Sequence, residues 1–311
     1  MSLADYALEL VARGVRPKCT EATCPVTSSV YGYRPNLAAT VIFLALFAIS
    51  GIVHLGQGIK TKTWFFAIAM FIGCAAEVLG YISKLLLYKD VFSSVGFKMS
   101  IVMLTLAPAF LSAGIYYTLK HITLTFGANY SRLPPAWYTW VFVSCDLLSI
   151  VLQGVGGGIA AGADTQDVLD TGDHVMVAGL ALQVFTLVIF GLLAADFAFT
   201  VYRNRANLNH DTAELRQTLK FKLFILALVV AYLAILIRCA YRVAELVGGW
   251  SLTNQILRNE GLFIGLDSVP CIIATGVLNV WHPGWCFPKT QHASVQKKEV
   301  SYQSNSDIAL A

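Results

Sequence analysis

Seven long apolar runs, each bounded by polar or charged residues, dominate the hydropathy pattern of the chain. A helix needs about 20 residues to cross the hydrocarbon core of a bilayer, and each run is close to that length. The runs cover roughly residues 37–57, 63–86, 97–119, 137–161, 175–199, 219–241 and 262–281. The connections between them are short and leave no room for a soluble domain. The pattern therefore predicts an all-α polytopic membrane protein with seven transmembrane helices.

The amino-acid composition is typical of a membrane protein and argues against other classes of protein. Hydrophobic residues make up 57% of the 311 residues, and charged residues only 13%. Soluble domains have about 25% charged residues, so lipid must be the main solvent of this chain. The formal net charge of +4 is spread without a basic block, which argues against a nucleic-acid partner. The N-terminal stretch MSLADYALELVARGVRPK lacks the apolar core of a secretory signal, so we expect the first helix to direct membrane insertion.

Lysines and arginines beside the spans predict the orientation, because cytoplasmic loops carry an excess of them. With the N-terminus outside, twelve lie on the inner side, against nine at most on the outer side. The inner set is Lys60, Lys62, Lys120, Arg132, Arg203, Arg205, Arg216, Lys220, Lys222 and three lysines of the C-terminal tail. The outer segment 162–174 holds four aspartates and no base. We therefore predict an extracellular N-terminus and a cytoplasmic C-terminus.

This orientation divides the chain into three regions. We expect an extracellular tail at 1–35, the seven-helix domain at 36–284, and a disordered cytoplasmic tail at 285–311 that is rich in Ser, Lys and Gln. Cys19 and Cys24 then lie in an oxidising space, where they either close a small disulfide loop or remain unpaired thiols. The acidic outer loop and this cysteine pair favour a membrane of the secretory pathway, and we expect the plasma membrane.

The fourth run contains the stretch CDLLSIVLQGVGGG at 145–158. These glycines do not follow a strand and do not match GxGxxG, so a nucleotide-binding loop is excluded. In membrane helices, glycines allow neighbouring backbones to approach closely or a helix to break beside a cavity. Pro108 predicts a kink in the third helix. The residues that we assign to helix packing are Gly73, Gly80, Gly154, Gly156, Gly157, Gly158 and Pro108.

Asp146, Ser149, Gln153 and Gly157 share one face of the fourth helix, since they are spaced i, i+3, i+7 and i+11. A carboxylate at such depth costs roughly 2.5–3.5 kcal/mol on insertion scales. Asp146 must therefore face protein or water, and His54 in the first helix lies at a comparable depth as a candidate partner. The interaction is either structural or part of a ligand path.

Six further charged residues fall in the outer half of the membrane under the predicted orientation. They are Glu77 and Lys84 in the second helix, Arg238, Arg242 and Glu245 in the sixth, and Asp267 in the seventh. We expect these three bases and three acids to form one network. The network either locks the helices together or lines a polar pocket where the charged head of an amphiphile sits against Glu77 or Asp267.

The segments YGYRPNLAA, HLGQG, GCAAEVLGY, LAPAFLSAGIYYTL, CDLLSIVLQGVGGG, IRCAYRVAEL, GLDSVP and HPG occur in this order over residues 31–284. In this set the chain resembles the fungal RTA-like proteins, also called the lipid-translocating exporter family. The resemblance implies a seven-helix fold, export of sphingoid long-chain bases, handling of sterol-like or porphyrin-like amphiphiles, and resistance to membrane-active compounds. The family's polar positions fall on Glu77, Tyr81, Asp146, Gln153, Arg238, Arg242, Glu245 and Asp267. Lys84 departs from the usual arginine, which puts a fixed contact with Glu77 in doubt because lysine lacks the bidentate fork.

Three function classes compete. The first is a translocator of amphiphilic lipids, driven by a gradient or moving its substrate downhill, because no nucleotide-binding motif is found. The second is a seven-helix sensor or a regulator of lipid asymmetry that transports nothing itself. An intramembrane hydrolase would need several deep histidines, and only His54 comes close, so we expect no enzyme activity, no metal and no cofactor. The expected partners are membrane lipids or amphiphilic small molecules.

Overall fold

The computed structural model describes residues 20–21, 23–163, 165–204, 213–249 and 254–286. Seven helices in this part of the chain are long and apolar enough to cross a membrane, which confirms the predicted number. They are α1 (Leu37–Thr61), α2 (Trp64–Lys89), α3 (Ser94–Phe126), α4 (Pro135–Ala161), α5 (Gln166–Arg203), α6 (Leu219–Val247) and α7, which joins Glu260–Phe263, the π-helical turn Ile264–Ser268 and Val269–Val280. Short helical turns at Val26–Ser28, Ala128–Tyr130, Ala213–Gln217 and Pro283–Cys286 lie outside them.

Polar side chains start several of these helices. Asn36, Ser93, Thr218 and Asn259 each precede a helix and accept a hydrogen bond from a backbone N–H of its first turn. Free N–H groups at a helix start need such acceptors, and these residue types supply them best. These capping residues therefore define the positions at which the four helices begin.

Several helices extend beyond the apolar runs that predict them. α3 continues to Phe126 and α6 to Val247. α5 begins at Gln166, so most of the aspartate-rich segment 162–174, predicted as a loop, is helical. Hydropathy reports only the part of a helix inside the hydrocarbon, whereas the backbone hydrogen bonds continue into the polar interface.

The seven helices form a closed ring in which each packs against its neighbours in sequence and α7 returns to α1. α3 is the most buried span and also contacts α5, α6 and α7. Because consecutive spans alternate in direction, α1, α3, α5 and α7 begin at one face of the bundle, which we call the upper face. The upper face is the predicted outer side, and the opposite face is the lower face.

Candidate functional site

Two arginines of α6 and one aspartate of α7 form the centre of a buried charge cluster in the upper half of the bundle. Arg238 Nε lies 3.0 Å from Asp267 Oδ1, and Arg242 Nε lies 3.7 Å from the same oxygen. Arg242 also pairs with Glu245, one turn further along α6. Arg238 also donates a hydrogen bond to the backbone carbonyl of Leu104 in α3. This cluster therefore ties α3, α6 and α7 together.

A π-helical turn in α7 places Asp267 in this cluster. The turn covers Ile264–Ser268 and is followed two residues later by Pro270. Proline has no backbone N–H, so the regular hydrogen bond to the preceding turn is missing there, and the helix can widen locally. Such turns are frequent at functional sites. The sequence GLDSVP contains the proline, but the predicted regular helix does not include the wider turn.

Glu77 on α2 adjoins the cluster but is not paired with it. Its side chain is fully buried, and neither of its oxygens accepts a hydrogen bond from a nitrogen or oxygen of the described residues. The weakly donating thiol of Cys271 faces it, and Arg238 and Asp267 lie close enough to interact electrostatically. Asp267 Oδ2 is likewise without a hydrogen bond in the described part. Three oxygens of two carboxylates on different helices thus remain available for a positively charged group.

Lys84 lies seven residues beyond Glu77 on α2, and the two side chains do not form an ion pair. The Lys84 ammonium instead lies against two aromatic rings, 3.5 Å from the ring centroid of Phe263 and 4.7 Å from that of Tyr31. The single network expected from the sequence is therefore divided into paired arginines, an aromatic-bound lysine and an unpaired Glu77. Tyr81, on the same helix, stacks against Phe43 and Phe47 of α1.

The segment before α1 covers this cluster at the upper face. Tyr31 is buried against Lys84, Phe97 and Leu257, and burial raises the pKa of its hydroxyl to about 12, so the hydroxyl stays neutral. Arg258, in the α6–α7 connection, donates hydrogen bonds to the carbonyls of Thr27 and Ser29. Its guanidinium fills the place where a side chain at Gly32 would stand. The sequence pattern gave no sign of this cover, because the segment has no periodicity.

Asp146 forms a second polar site, near the middle of the bundle between α3 and α4. Its Oδ2 accepts hydrogen bonds from Ser112 Oγ at 2.6 Å and Tyr116 Oη at 3.1 Å, while Oδ1 has no hydrogen-bond partner among the described residues. His54 is not its partner, contrary to the expectation. His54 Nε2 instead lies 3.2 Å from the carbonyl of Thr275, because α1 packs against α7 and α2 rather than α4.

Gln153, two turns further along α4, contacts α5. Its Nε2 donates to Oε1 of Gln183 at 3.2 Å. Gln183 is not among the site residues predicted from the sequence, although an amide inside the apolar run 175–199 is a signal of the same kind as Asp146. The pair connects α4 to α5 away from the charge cluster.

An apolar cavity of about 580 Å³ lies in the lower half of the bundle, between α3, α5 and α6. Its wall is made of aliphatic and aromatic side chains, including Ile115, Phe190 and Leu228. Val229 and Leu233 at its rim are each 47% exposed, so the cavity opens on the lipid-facing side. The Phe190 ring lies 4.5 Å from the ring of Tyr116, which binds Asp146. The cavity thus adjoins the Asp146 site, and its size is within the range of lipid and small-molecule sites.

The glycines assigned to helix packing have different surroundings. A Cβ on Gly156 would lie 2.5 Å from the backbone nitrogen of Met176, and one on Gly73 would lie 2.6 Å from Leu111. A Cβ on Gly80 would clash with Leu104, and one on Gly157 would make only an ordinary contact with Met176. Gly154 and Gly158 have open space instead, so they do not provide the expected close contact.

Pro108 and the cysteine pair complete the predicted features. Pro108 is buried inside α3, which continues through it to Phe126. Cys24 is disulfide-bonded. Cys19 lies outside the described residues, as do 1–18 and 287–311, so the Cys19–Cys24 pairing and the disordered C-terminal tail stay predictions.

Comparison with known proteins adds an independent line of evidence. The model of the family described as "RTA1 like protein" matches residues 70–290. The sphingoid long-chain base transporter RSB1 of Saccharomyces cerevisiae is 34% identical over 295 residues, covering 86% of this chain and 76% of the relative. The probable lipid transporter atnI of Emericella nidulans is 24% identical, covering 87% of this chain and 72% of the relative. Protein RTA1 of Saccharomyces cerevisiae is 24% identical, covering 82% and 84%. No solved structure matches the chain.

Proposed function

The chain belongs to the RTA1-like protein family, and on that premise we propose that it translocates sphingoid long-chain bases or related cationic amphiphiles across the plasma membrane. The membrane location follows from the seven apolar helices, and relatives named as transporters of lipids support lipid transport as the activity class. The substrate, the membrane and the direction of movement are the proposal.

The observation that carries the proposal is the buried carboxylate of Glu77, which no cation of the described residues pairs with. A buried charge in a membrane protein is expensive, and the neighbouring arginines and acids offset that cost by pairing. Glu77 has no such partner among the described residues. A positively charged headgroup that arrives from outside the bundle supplies the missing charge.

The second requirement is a place for the hydrocarbon chain, and the lower cavity provides one. Its wall is almost wholly apolar, and its rim faces lipid, so an alkyl chain enters it without crossing a polar barrier. Asp146 adjoins the cavity, and its Oδ1 accepts no hydrogen bond from the described residues. An ammonium headgroup therefore meets Asp146 near the bundle centre and Glu77 nearer the upper face. This order defines a path from one leaflet to the other.

A flux assay with the purified full chain in liposomes tests this function. A sphingoid base with a fluorophore on its hydrocarbon chain is added to one leaflet, and its appearance in the other is followed. We expect faster movement than in protein-free liposomes, and loss of the increase in Glu77→Gln and Asp146→Asn. Asp167→Asn is the matched control, because Asp167 is exposed in the first turn of α5. Flux equal to that of protein-free liposomes would refute the proposal.

The same assay addresses the alternative, a sensor or regulator of lipid asymmetry. Sterol-like and porphyrin-like amphiphiles serve as competitors, so that inhibition of flux reports their entry into the same path. A protein that binds the base selectively but moves none of it is a sensor.

A further inference from the structure

We propose that Tyr31 and Phe263 form a binding site for the ammonium group of an alkylamine lipid, and that Lys84 occupies this site until the lipid displaces it. The inference rests on the proposed function, because it assigns the headgroup of the same substrate class to one place near the upper face.

The geometry of the two rings is that of an ammonium site. The Lys84 nitrogen lies 3.5 Å from the centroid of Phe263 and 4.7 Å from that of Tyr31. Both distances are within the roughly 6 Å over which a ring face attracts a cation, and aromatic cages recognise alkylammonium ligands in this way. The rings come from separate parts of the chain, Phe263 from α7 and Tyr31 from the segment before α1.

Nearby acidic side chains attract a positive charge between the rings, whereas burial opposes it. Glu245, Asp267 and Glu260 attract the Lys84 ammonium, and Arg242 repels it. Lys84 forms no ion pair within 4.0 Å in the described part of the chain, whereas Arg238 and Arg242 do. The lysine is held by the rings and by the more distant charges. Of the three buried bases Lys84, Arg238 and Arg242, it is therefore the one that exchanges most easily.

Lys84 and a sphingoid base present the same chemical group, a primary ammonium on an alkyl chain. Lys84 lies near the upper end of α2, which ends at Lys89. A long lysine side chain at such a position reaches the interface by extending along the helix, so it leaves the site without entering hydrocarbon. The incoming ammonium then takes the same contacts, and the net charge of the cluster is unchanged.

Tyr31 controls access to the site from the upper face. It belongs to the segment that Arg258 holds through the carbonyls of Thr27 and Ser29, outside the seven helices. Movement of this segment removes one ring of the site and exposes the other. Tyr31 therefore acts both as a wall of the site and as its cover.

The test measures equilibrium binding to the full chain in lipid nanodiscs. The two probes are a sphingosine with a fluorophore on its hydrocarbon chain and the same molecule N-acetylated, which keeps the chain and loses the charge. We expect Phe263→Leu and Tyr31→Leu to weaken binding of the amine about tenfold and to leave the N-acetylated probe unchanged. Phe199→Leu is the control, because Phe199 is a 65% exposed aromatic residue of the same bundle.

Removing the internal competitor has the opposite effect. Lys84→Met is expected to strengthen binding of the amine several-fold and to leave the N-acetylated probe unchanged, whereas Lys89→Met, an exposed lysine of the same helix, changes neither. Equal responses of the two probes, or equal behaviour of the Lys84 and Lys89 variants, would overturn the inference. Should the Lys84 variant fail to fold, Tyr31→Leu decides, because Tyr31 lies outside the helices.

Flux measured on the same preparations separates this inference from the proposed function. Wild-type flux together with unchanged amine binding in the ring variants refutes the ammonium site and leaves translocation standing. Selective amine binding without wild-type flux refutes translocation and leaves the ammonium site standing.

Discussion

Asp267 Oδ1 receives two arginine side chains at once, with Arg238 Nε at 3.0 Å and Arg242 Nε at 3.7 Å, and all three residues are buried. One carboxylate oxygen of α7 thus balances two positive charges of α6, while Glu245 pairs with Arg242 from the other side. Both arginines are thus engaged by Asp267 and Glu245, and Glu77 on α2 forms no ion pair with any residue of the described part of the chain.

Breaking the central ion pair should lower the thermal stability of the bundle. Asp267→Leu leaves Arg238 buried without its nearest counter-charge, and removal of one partner of a buried pair costs about 3–5 kcal/mol. The double variant Arg238→Met with Asp267→Leu removes both charges and should recover most of that loss. Thermal unfolding of the detergent-solubilised protein measures both. A double variant no more stable than Asp267→Leu would show that the pair is not the main contribution.

The fourth helix offers a test of close packing with internal controls. Gly156→Leu should destabilise the bundle by about 1–3 kcal/mol, because its side chain would enter the backbone of α5. Gly154→Leu and Gly158→Leu should be tolerated, since open space surrounds those positions. Melting temperatures of the three variants check this prediction. Equal losses at all three positions would indicate an effect of helix propensity rather than of contact.

The hydrogen bonds to Asp146 should matter little for stability. Tyr116→Phe and Ser112→Ala each remove one donor, and interhelical hydrogen bonds in membrane proteins average about 0.6 kcal/mol.

Asp146→Asn keeps the shape but removes the negative charge, so it should abolish flux of a cationic lipid while the two donor variants keep most of it. The liposome assay compares the three. Full flux in Asp146→Asn would exclude this carboxylate from the path.

Filling the lower cavity should slow transport without unfolding the protein. Ala194→Trp places a large apolar side chain in the space proposed for the hydrocarbon chain. Ala45→Trp adds the same group on the exposed face of α1 and serves as the control. We expect at least a tenfold lower initial flux for Ala194→Trp alone, corresponding to about 1.4 kcal/mol. Unchanged flux with an unchanged melting temperature would show that the hydrocarbon chain does not occupy the lower cavity.

The seven spans follow from the amino-acid pattern alone, because polar backbone and charge are costly in lipid and only long apolar helices cross it without that cost. The pattern also identifies which charged residues are buried, since Glu77, Asp146 and Arg238 stand within apolar runs. These are properties of single helices, and the residue pattern of each helix is enough to establish them.

Which of these residues contact one another depends on how the helices pack. The ring order of the helices separates His54 from Asp146, and the π-helical turn before Pro270 directs Asp267 to two arginines. Tyr31 reaches Lys84 from a segment without any pattern, and Gly154 differs from Gly156 only in the helix face it occupies. Contacts between helices depend on rotation and register, which periodicity within one helix does not specify.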